Sequence, residues 1–188
     1  MKTVKILTVA VIASLLFSCK NDDDDSVTPD TPITPNEEEL ITTVRLNFMD
    51  SSGVTTSFEF NDPDGEGGDA PVIETINLAK GKIYNLSTEF LDASDPNDVE
   101  DITAEIRDED DEHIVCYEPK DVNGLSITIV DTDGTYDVGL SAVVLTTDSA
   151  SSSNGTLKVT LKHQPGLKDG TCAPGETDVE VDFPVQFN

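Results

Sequence analysis

The chain has 188 residues, 38 of them acidic and 11 basic, which gives a formal net charge of -27 at pH 7. So large a negative excess excludes a basic phosphate-binding surface, and with it nucleic acid as a partner, and it repels an anionic membrane surface. Hydrophobic residues still make up 36% of the chain, which is enough for one modest core and excludes a purely disordered acidic tail.

Residues 1–18 have the pattern of a secretory signal peptide. Lys2 and Lys5 form a short basic region, and residues 6–17 are nearly all apolar. About a dozen apolar residues are too few to cross a hydrocarbon core, which needs about 20, so we predict that residues 1–18 are removed on export. The Leu-Phe-Ser-Cys sequence that ends at Cys19 resembles a bacterial lipobox and predicts lipidation of Cys19. The alternative is an ordinary signal peptide with a chance cysteine.

Residues 19–38 are predicted to be a tether between the lipid and a folded domain. Residues 22–25 are consecutive aspartates, and a Thr- and Pro-rich stretch follows them. The acidic run resembles the export tag of Bacteroidota lipoproteins that reach the outer face of the outer membrane. The alternative is a solvated linker, since blocks of like charge are usually disordered. We therefore predict a protein that is lipid-anchored in the outer membrane and exposed at the cell surface.

Residues 39–188 alternate apolar and polar side chains with the period of two that is typical of strands. In chain order, the predicted strands are residues 40–48, 54–60, 72–78, 83–91, 113–118, 125–129, 138–144, 157–161 and 179–187. Turn-forming sequences separate many of them, namely residues 51–53, 79–81, 131–134 and a Ser-rich turn that ends at Asn154 and Gly155.

Only residues 98–110 have helical spacing, with Asp95 or Asp98 as the expected N-cap. The apolar face of this helix consists of Val99, Ile102 and Ile106. Because short strands with frequent turns dominate the rest, we predict an all-β fold. It is expected to be one antiparallel, immunoglobulin-like β-sandwich of about eight or nine strands with one short helix.

Cys116 and Cys172 remain once Cys19 carries lipid. Two cysteines in an exported chain most often pair, so we predict a structural disulfide between them. It would join a strand to the long loop at residues 164–176. The alternative is that the two thiolates are metal ligands.

Acidic residues and glycines alternate in residues 61–69, and such a segment can wrap a hard cation. The candidate calcium ligands are Asp62, Asp64, Glu66 and Asp69. Their order matches the first half of a calcium-binding helix–loop–helix motif, but Ile73 replaces the glutamate expected at the twelfth position, and the flanks have strand patterns. The alternative is an acidic, glycine-rich hairpin loop. A weaker copy at residues 131–137 is interpreted as a turn.

The chain has two histidines, His113 and His163. His163 continues the inward-facing register of the strand at residues 157–161, and His113 follows the acidic residues 108–112. If these strand ends lie close together, two imidazoles with neighbouring carboxylates can hold zinc or copper, or ligate haem from two sides. The alternative is that each is a structural histidine at the end of a strand.

No catalytic motif stands out in the sequence. It has no Gly-x-Ser-x-Gly elbow, no His-Glu-x-x-His pair, no phosphate loop and no dinucleotide fingerprint. A pair of carboxylates is uninformative among 38 acidic residues, although a hydrolase that uses such a pair stays an alternative. We predict a protein that is not an enzyme.

Several short segments resemble a group of small flavobacterial lipoproteins. They are the lipobox with its acidic tail and residues 62–65, 70–72, 111–113, 155–157, 161–165 and 175–179. Members of this group are often named type 1 periplasmic binding fold superfamily proteins. That name implies two α/β lobes, whereas the strand pattern here predicts a single all-β domain.

The resemblance implies a place near TonB-dependent outer-membrane receptors and a role in capturing a nutrient or metal. It implies no enzymatic activity. Together with the residues, it predicts a non-enzymatic surface lipoprotein that captures a ligand or metal for a TonB-dependent transporter. The alternative is a structural or adhesive surface module with no small ligand.

Overall fold

Nine strands and one helix make up the part of the chain that the computed structural model describes, residues 40–65 and 67–188. The strands are β1 (Thr43–Asp50), β2 (Thr55–Asn61), β3 (Val72–Ile73), β4 (Ile76–Leu78), β5 (Ile83–Asp92), β6 (Glu100–Asp101), β7 (His113–Ile129), β8 (Ser141–His163) and β9 (Glu176–Phe187). The helix α1 is Ile102–Asp108. In this part of the chain no helix is both long enough and apolar enough to span a bilayer.

The strands pair in the order β3-β2-β1-β5-β8-β9-β4, with β6 added to β5 and β7 added to β8. Every pairing between these strands is antiparallel except that of β4 with β9, which is parallel. The start of β8 pairs with β5 and its end pairs with β9, so β8 runs through both layers of the sandwich. The predicted all-β sandwich with one short helix is therefore confirmed.

Alternating side chains from both layers form one hydrophobic core. Val44, Leu46 and Phe48 of β1 are buried, and so are Val181, Phe183 and Val185 of β9. Phe48 makes edge-to-face contacts with the rings of Phe58 and Tyr84. Each fully buried aromatic or branched side chain contributes roughly 1.5–3 kcal/mol to folding. The period of two predicted for the first and last strands is confirmed at these positions, but β1 begins at Thr43 and Leu40, the first residue of the predicted strand, is 54% exposed.

Two pairs of predicted strands are each one long strand. Residues 113–118 and 125–129 both belong to β7, and residues 138–144 and 157–161 extend into or lie within β8. The Ser-rich segment is therefore not a turn that ends a strand. Near it the pairing of β7 with β8 shifts register twice, because one strand has extra residues at each shift. Such irregularities bend a strand, and here they allow β7 and β8 to pass from one layer into the other. Gly155 lies so close to Asp121 that a Cβ there would be 2.4 Å from the Asp121 carbonyl oxygen.

The predicted strand at residues 72–78 is, in contrast, two strands. β3 pairs with β2 in one layer, and β4 pairs with β9 in the other. The chain crosses between the layers at Glu74 and Thr75, which neither strand includes. The sequence does not reveal this crossing, because a short run of apolar and polar residues such as 72–78 can equally be one strand.

The helix is shorter than predicted and begins later. Its N-cap is Asp101, which makes no capping hydrogen bond through its side chain, and not Asp95 or Asp98. The reason is that Glu100 and Asp101 pair with the end of β5 before the helix starts. Val99 is consequently 51% exposed, while the other two members of the predicted apolar face, Ile102 and Ile106, are buried.

Candidate metal centre

The two histidines are direct cross-strand neighbours. His113 is the first residue of β7, His163 is the last residue of β8, and the antiparallel register pairs them. Their ring centroids are 4.5 Å apart and the ring planes differ by 10°. His113 and His163 are 2% and 4% exposed. The condition set for a shared site, that the two strand ends lie close together, is met.

The turn from α1 into β7 brings carboxylates to this pair. Glu109 is the C-cap of α1, and its carbonyl oxygen accepts a hydrogen bond from the backbone N–H of Glu112. One ligand atom each from Glu109, His113 and His163 lies within 4.8 Å of the other two. In the described residues this is the one group of three or more His, Cys, Asp or Glu side chains with such spacing.

Hydrogen bonds orient both rings. His113 Nδ1 lies 3.1 Å from the carbonyl oxygen of Glu109, which can only accept, so Nδ1 carries the hydrogen and Nε2 keeps its lone pair. His163 Nε2 lies 3.4 Å from Oε2 of Glu112. When the carboxylate accepts from this nitrogen, the lone pair of neutral His163 is on Nδ1. His113 therefore offers the lone pair of Nε2, and the imidazole of His163 lies beside it.

Burial favours the neutral form of His113. Loss of hydration lowers the pKa of the His113 imidazole, the hydrogen bond to the Glu109 carbonyl opposes that change, and the neighbouring His163 lowers the pKa further. A neutral imidazole is the form that ligates a metal ion. The environment of His113 thus keeps the ring in its ligating state.

Two imidazoles and a carboxylate suit a borderline transition metal ion better than a hard cation, which prefers oxygen ligands alone. The same geometry is poorly suited to haem. Two histidines that ligate one haem iron approach it end-on from opposite sides, whereas these rings are stacked face to face with 4.5 Å between their centroids.

The loop after β8 holds the acidic turn in place. The backbone N–H of Gln164 donates to the carbonyl oxygen of Glu112 at 2.6 Å. The Gln164 side chain in turn donates to the carbonyl oxygens of Thr171 and Pro174, which lie in the same loop. The buried Gln164 side chain thereby joins the loop to the strand end that carries His163.

A disulfide anchors this loop from its far side. Cys116 of β7 is bonded to Cys172, with 6.2 Å between their Cα atoms, so the predicted disulfide is confirmed. The bond joins residues that are 56 positions apart in the sequence. It fixes the loop three residues along β7 from His113.

A buried ion pair completes the support. The Lys168 ammonium lies 2.8 Å from Oδ2 of Asp133 and 2.6 Å from the carbonyl oxygen of Asp110. The side chains of Lys168 and Asp133 are 3% and 5% exposed. One ammonium therefore connects the loop after β8, the loop between β7 and β8, and the acidic turn that precedes His113.

This ion pair makes stability depend on pH in the acid range. The hydrogen bond from Lys168, followed by those from the backbone N–H groups of Tyr136 and Thr135, lowers the pKa of the Asp133 carboxyl from 3.8 to about 2. The Asp133 carboxyl stays ionised to a lower pH in the folded state than in the unfolded state. The stability that Asp133 contributes is therefore complete above pH 3.8 and is lost as the pH falls towards about 2.

We expect the stability advantage of the natural chain over Asp133→Asn to shrink below about pH 4. Urea unfolding of both proteins between pH 7 and pH 2 measures it, and carboxyl groups common to both cancel in the difference. A difference that stays constant through this range would contradict the assigned role of Asp133.

The candidate calcium ligands do not gather in the same way. Asp62, Asp64 and Asp69 form no ligand group of three in the described residues, and Oδ2 of Asp64 instead accepts from the backbone N–H of Asp69 at 2.7 Å. Glu66 lies outside the described residues, as do Cys19, the signal peptide and the tether. The described part of this segment is an acidic, glycine-rich loop between β2 and β3.

Glu109 and Glu112 were not among the predicted site residues. A usable signal was present, because Glu109 and His113 are four positions apart across the end of the predicted helix.

Neither a protein-family model, nor a curated protein, nor a solved structure matches the chain.

Proposed function

We propose that this chain is a non-enzymatic lipoprotein, anchored in the outer membrane through Cys19, that captures a ligand or metal ion at the cell surface for a TonB-dependent transporter. The observation that carries the proposal is the group formed by Glu109, His113 and His163 at one end of the sandwich. The proposed location rests on the predicted signal peptide, the lipobox and the acidic tether. The resemblance of short segments to flavobacterial lipoproteins supplies the class of transporter.

The charge of the chain supports a cationic cargo. A formal net charge of -27 attracts cations and raises their concentration at the protein surface. Part of this charge is local, because the acidic residues 108–112 lead directly into His113. Diffusing cations are therefore drawn to the same end of the domain that carries the imidazole pair.

Uptake by living cells tests this function. We expect cells of the source bacterium that lack the gene to take up radioactive zinc or copper more slowly than the parent when the metal is scarce. The gene for the natural chain should restore uptake. A gene that encodes Cys19→Ala should not, because the protein would lose its lipid anchor and its place at the membrane.

Equal uptake by all of these strains would contradict the proposal. If the cells also lost adhesion or envelope integrity, the result would support the structural or adhesive surface module instead. A matched control is Lys158→Met, which removes an ion pair between β8 and β9 far from the membrane anchor in sequence and should restore uptake fully.

A further inference from the structure

We infer that Glu109, His113 and His163 bind one divalent transition metal ion of the borderline class, zinc(II) or copper(II), with Glu112 as a positioning residue. The inference rests on the proposed function and names the chemical class of its cargo. It assigns as ligand Glu109, a residue that the sequence pattern did not single out.

The donor set selects the class of metal. Two imidazole nitrogens and one carboxylate oxygen are the ligands of many zinc sites with three protein ligands, and imidazole also suits copper. Calcium and magnesium prefer six or more oxygen ligands, which this group does not provide. The fourth position of a tetrahedral ion is left for water or for a group of the receiving protein.

The surrounding contacts are those that prepare histidines for metal binding. A metal-ligating histidine commonly donates its other ring N–H to a carbonyl or carboxylate, which fixes the tautomer. His113 has such a bond to the Glu109 carbonyl oxygen, and His163 faces Oε2 of Glu112. Glu109 therefore has two roles, with its carbonyl group orienting His113 and its carboxylate reaching the ion.

Binding requires a small rearrangement of the site. Zinc bonds of about 2.0–2.2 Å place ligand atoms roughly 3.5 Å apart, so the present spacing of up to 4.8 Å has to contract. Imidazole lone pairs lie in the ring plane, and planes that differ by only 10° do not direct them to one point. At least one ring must turn, and the stacking of the pair is lost when the ion binds.

The ion approaches from the side of Glu109. The two rings are almost fully buried, whereas Glu109 is exposed. The exposed carboxylate meets the ion first and the imidazoles follow. This order matches a site that must release its cargo to a partner, because one ligand stays accessible from outside.

Zinc titration of the purified full chain in detergent, against a chromophoric chelator, tests the site. We expect one zinc ion per chain and no competition from calcium. His113→Gln and His163→Gln should each weaken binding by at least 100-fold. Glu112→Gln should weaken it by about 10–100-fold, the range for a lost positioning partner, and Glu109→Gln, which removes a ligand, should weaken it by at least as much. Glu118→Gln, which alters an exposed carboxylate on the same strand, should leave binding unchanged.

A second measurement needs no variant, so the test does not depend on whether the histidine substitutions fold. One equivalent of zinc should shift the ring nitrogen signals of both histidines in the NMR spectrum of the natural chain. Copper(II) should show nitrogen coupling in its electron paramagnetic resonance spectrum. Histidine signals that do not move at one equivalent of zinc would overturn the inference, as would equal zinc affinity in a folded His113→Gln variant.

The outcomes separate this inference from the proposed function. If the histidines bind zinc but cells take up metal equally well without the gene, the metal site is supported and the transport role is rejected. Uptake that depends on the gene, with histidines that do not respond to metal, would keep the transport role and reject this site.

Discussion

Replacing Lys168 with methionine is expected to lower the free energy of unfolding by about 3–5 kcal/mol, the usual cost of removing one partner of a buried ion pair. Methionine keeps much of the side-chain length but removes the charge. Asp133 then remains as a carboxylate that is 5% exposed and has lost its cation, and the Asp110 carbonyl oxygen loses a donor. Urea unfolding followed by far-UV circular dichroism measures the loss.

Two further variants show whether burial is the cause. Lys158→Met breaks an ion pair with Glu180 whose side chains are 29% and 48% exposed, and exposed pairs contribute little to stability because water screens them. Lys168→Met combined with Asp133→Asn leaves no unpaired charge and should recover part of the loss. If Lys168→Met cost no more than Lys158→Met, the buried pair would not have the stabilising role assigned to it.

Replacing Cys116 and Cys172 together with alanine is expected to lower the free energy of unfolding by roughly 4 kcal/mol. The estimate follows from the chain entropy that a cross-link spanning 56 residues removes from the unfolded state. The same change should also weaken zinc binding. The freed loop carries Gln164 and Lys168, which hold the acidic turn beside His113 through the carbonyl oxygens of Glu112 and Asp110.

Reduction with dithiothreitol under native conditions, followed by urea unfolding, measures the same quantity without substitution. Cys19→Ser is the matched control, since it removes a cysteine without touching the disulfide and should leave the midpoint unchanged. A reduced protein as stable as the oxidised one would show that packing of the loop, rather than the cross-link, supplies the stability.

Elements that bury one face and expose the other could be predicted from the sequence. In residues 44–48 of β1 and 180–186 of β9 buried side chains alternate with more exposed ones, as the period of two indicates. The disulfide followed from the count of cysteines and the predicted export. Where the chain changes layer, as it does between β3 and β4 or in the bends of β7 and β8, the alternation is interrupted, and a turn between two separate strands would interrupt it in the same way. Local pattern therefore does not reveal the change.

The candidate site was predicted in part. The inward register of His163 and the acidic approach to His113 were visible, and they were sufficient to suggest that the two rings share a site. The position of Glu109 depends on where α1 ends, and the pairing of Lys168 with Asp133 joins two loops that are remote in sequence. Contacts of this kind follow from the tertiary arrangement, since neither partner has a distinctive sequence around it.

The bent strands β7 and β8 belong to both layers of the sandwich. One layer therefore cannot separate from the other without breaking these two strands. Each layer contains half of the same hairpin, and we therefore expect the two halves to lose their hydrogen bonds together and local opening to begin at the ends of the hairpin. His113 and His163 are the last pair at the open end. A ligand bound to both residues would oppose fraying at this end of the hairpin. Because the hairpin belongs to both layers, the binding free energy would stabilise the whole sandwich and not one layer alone.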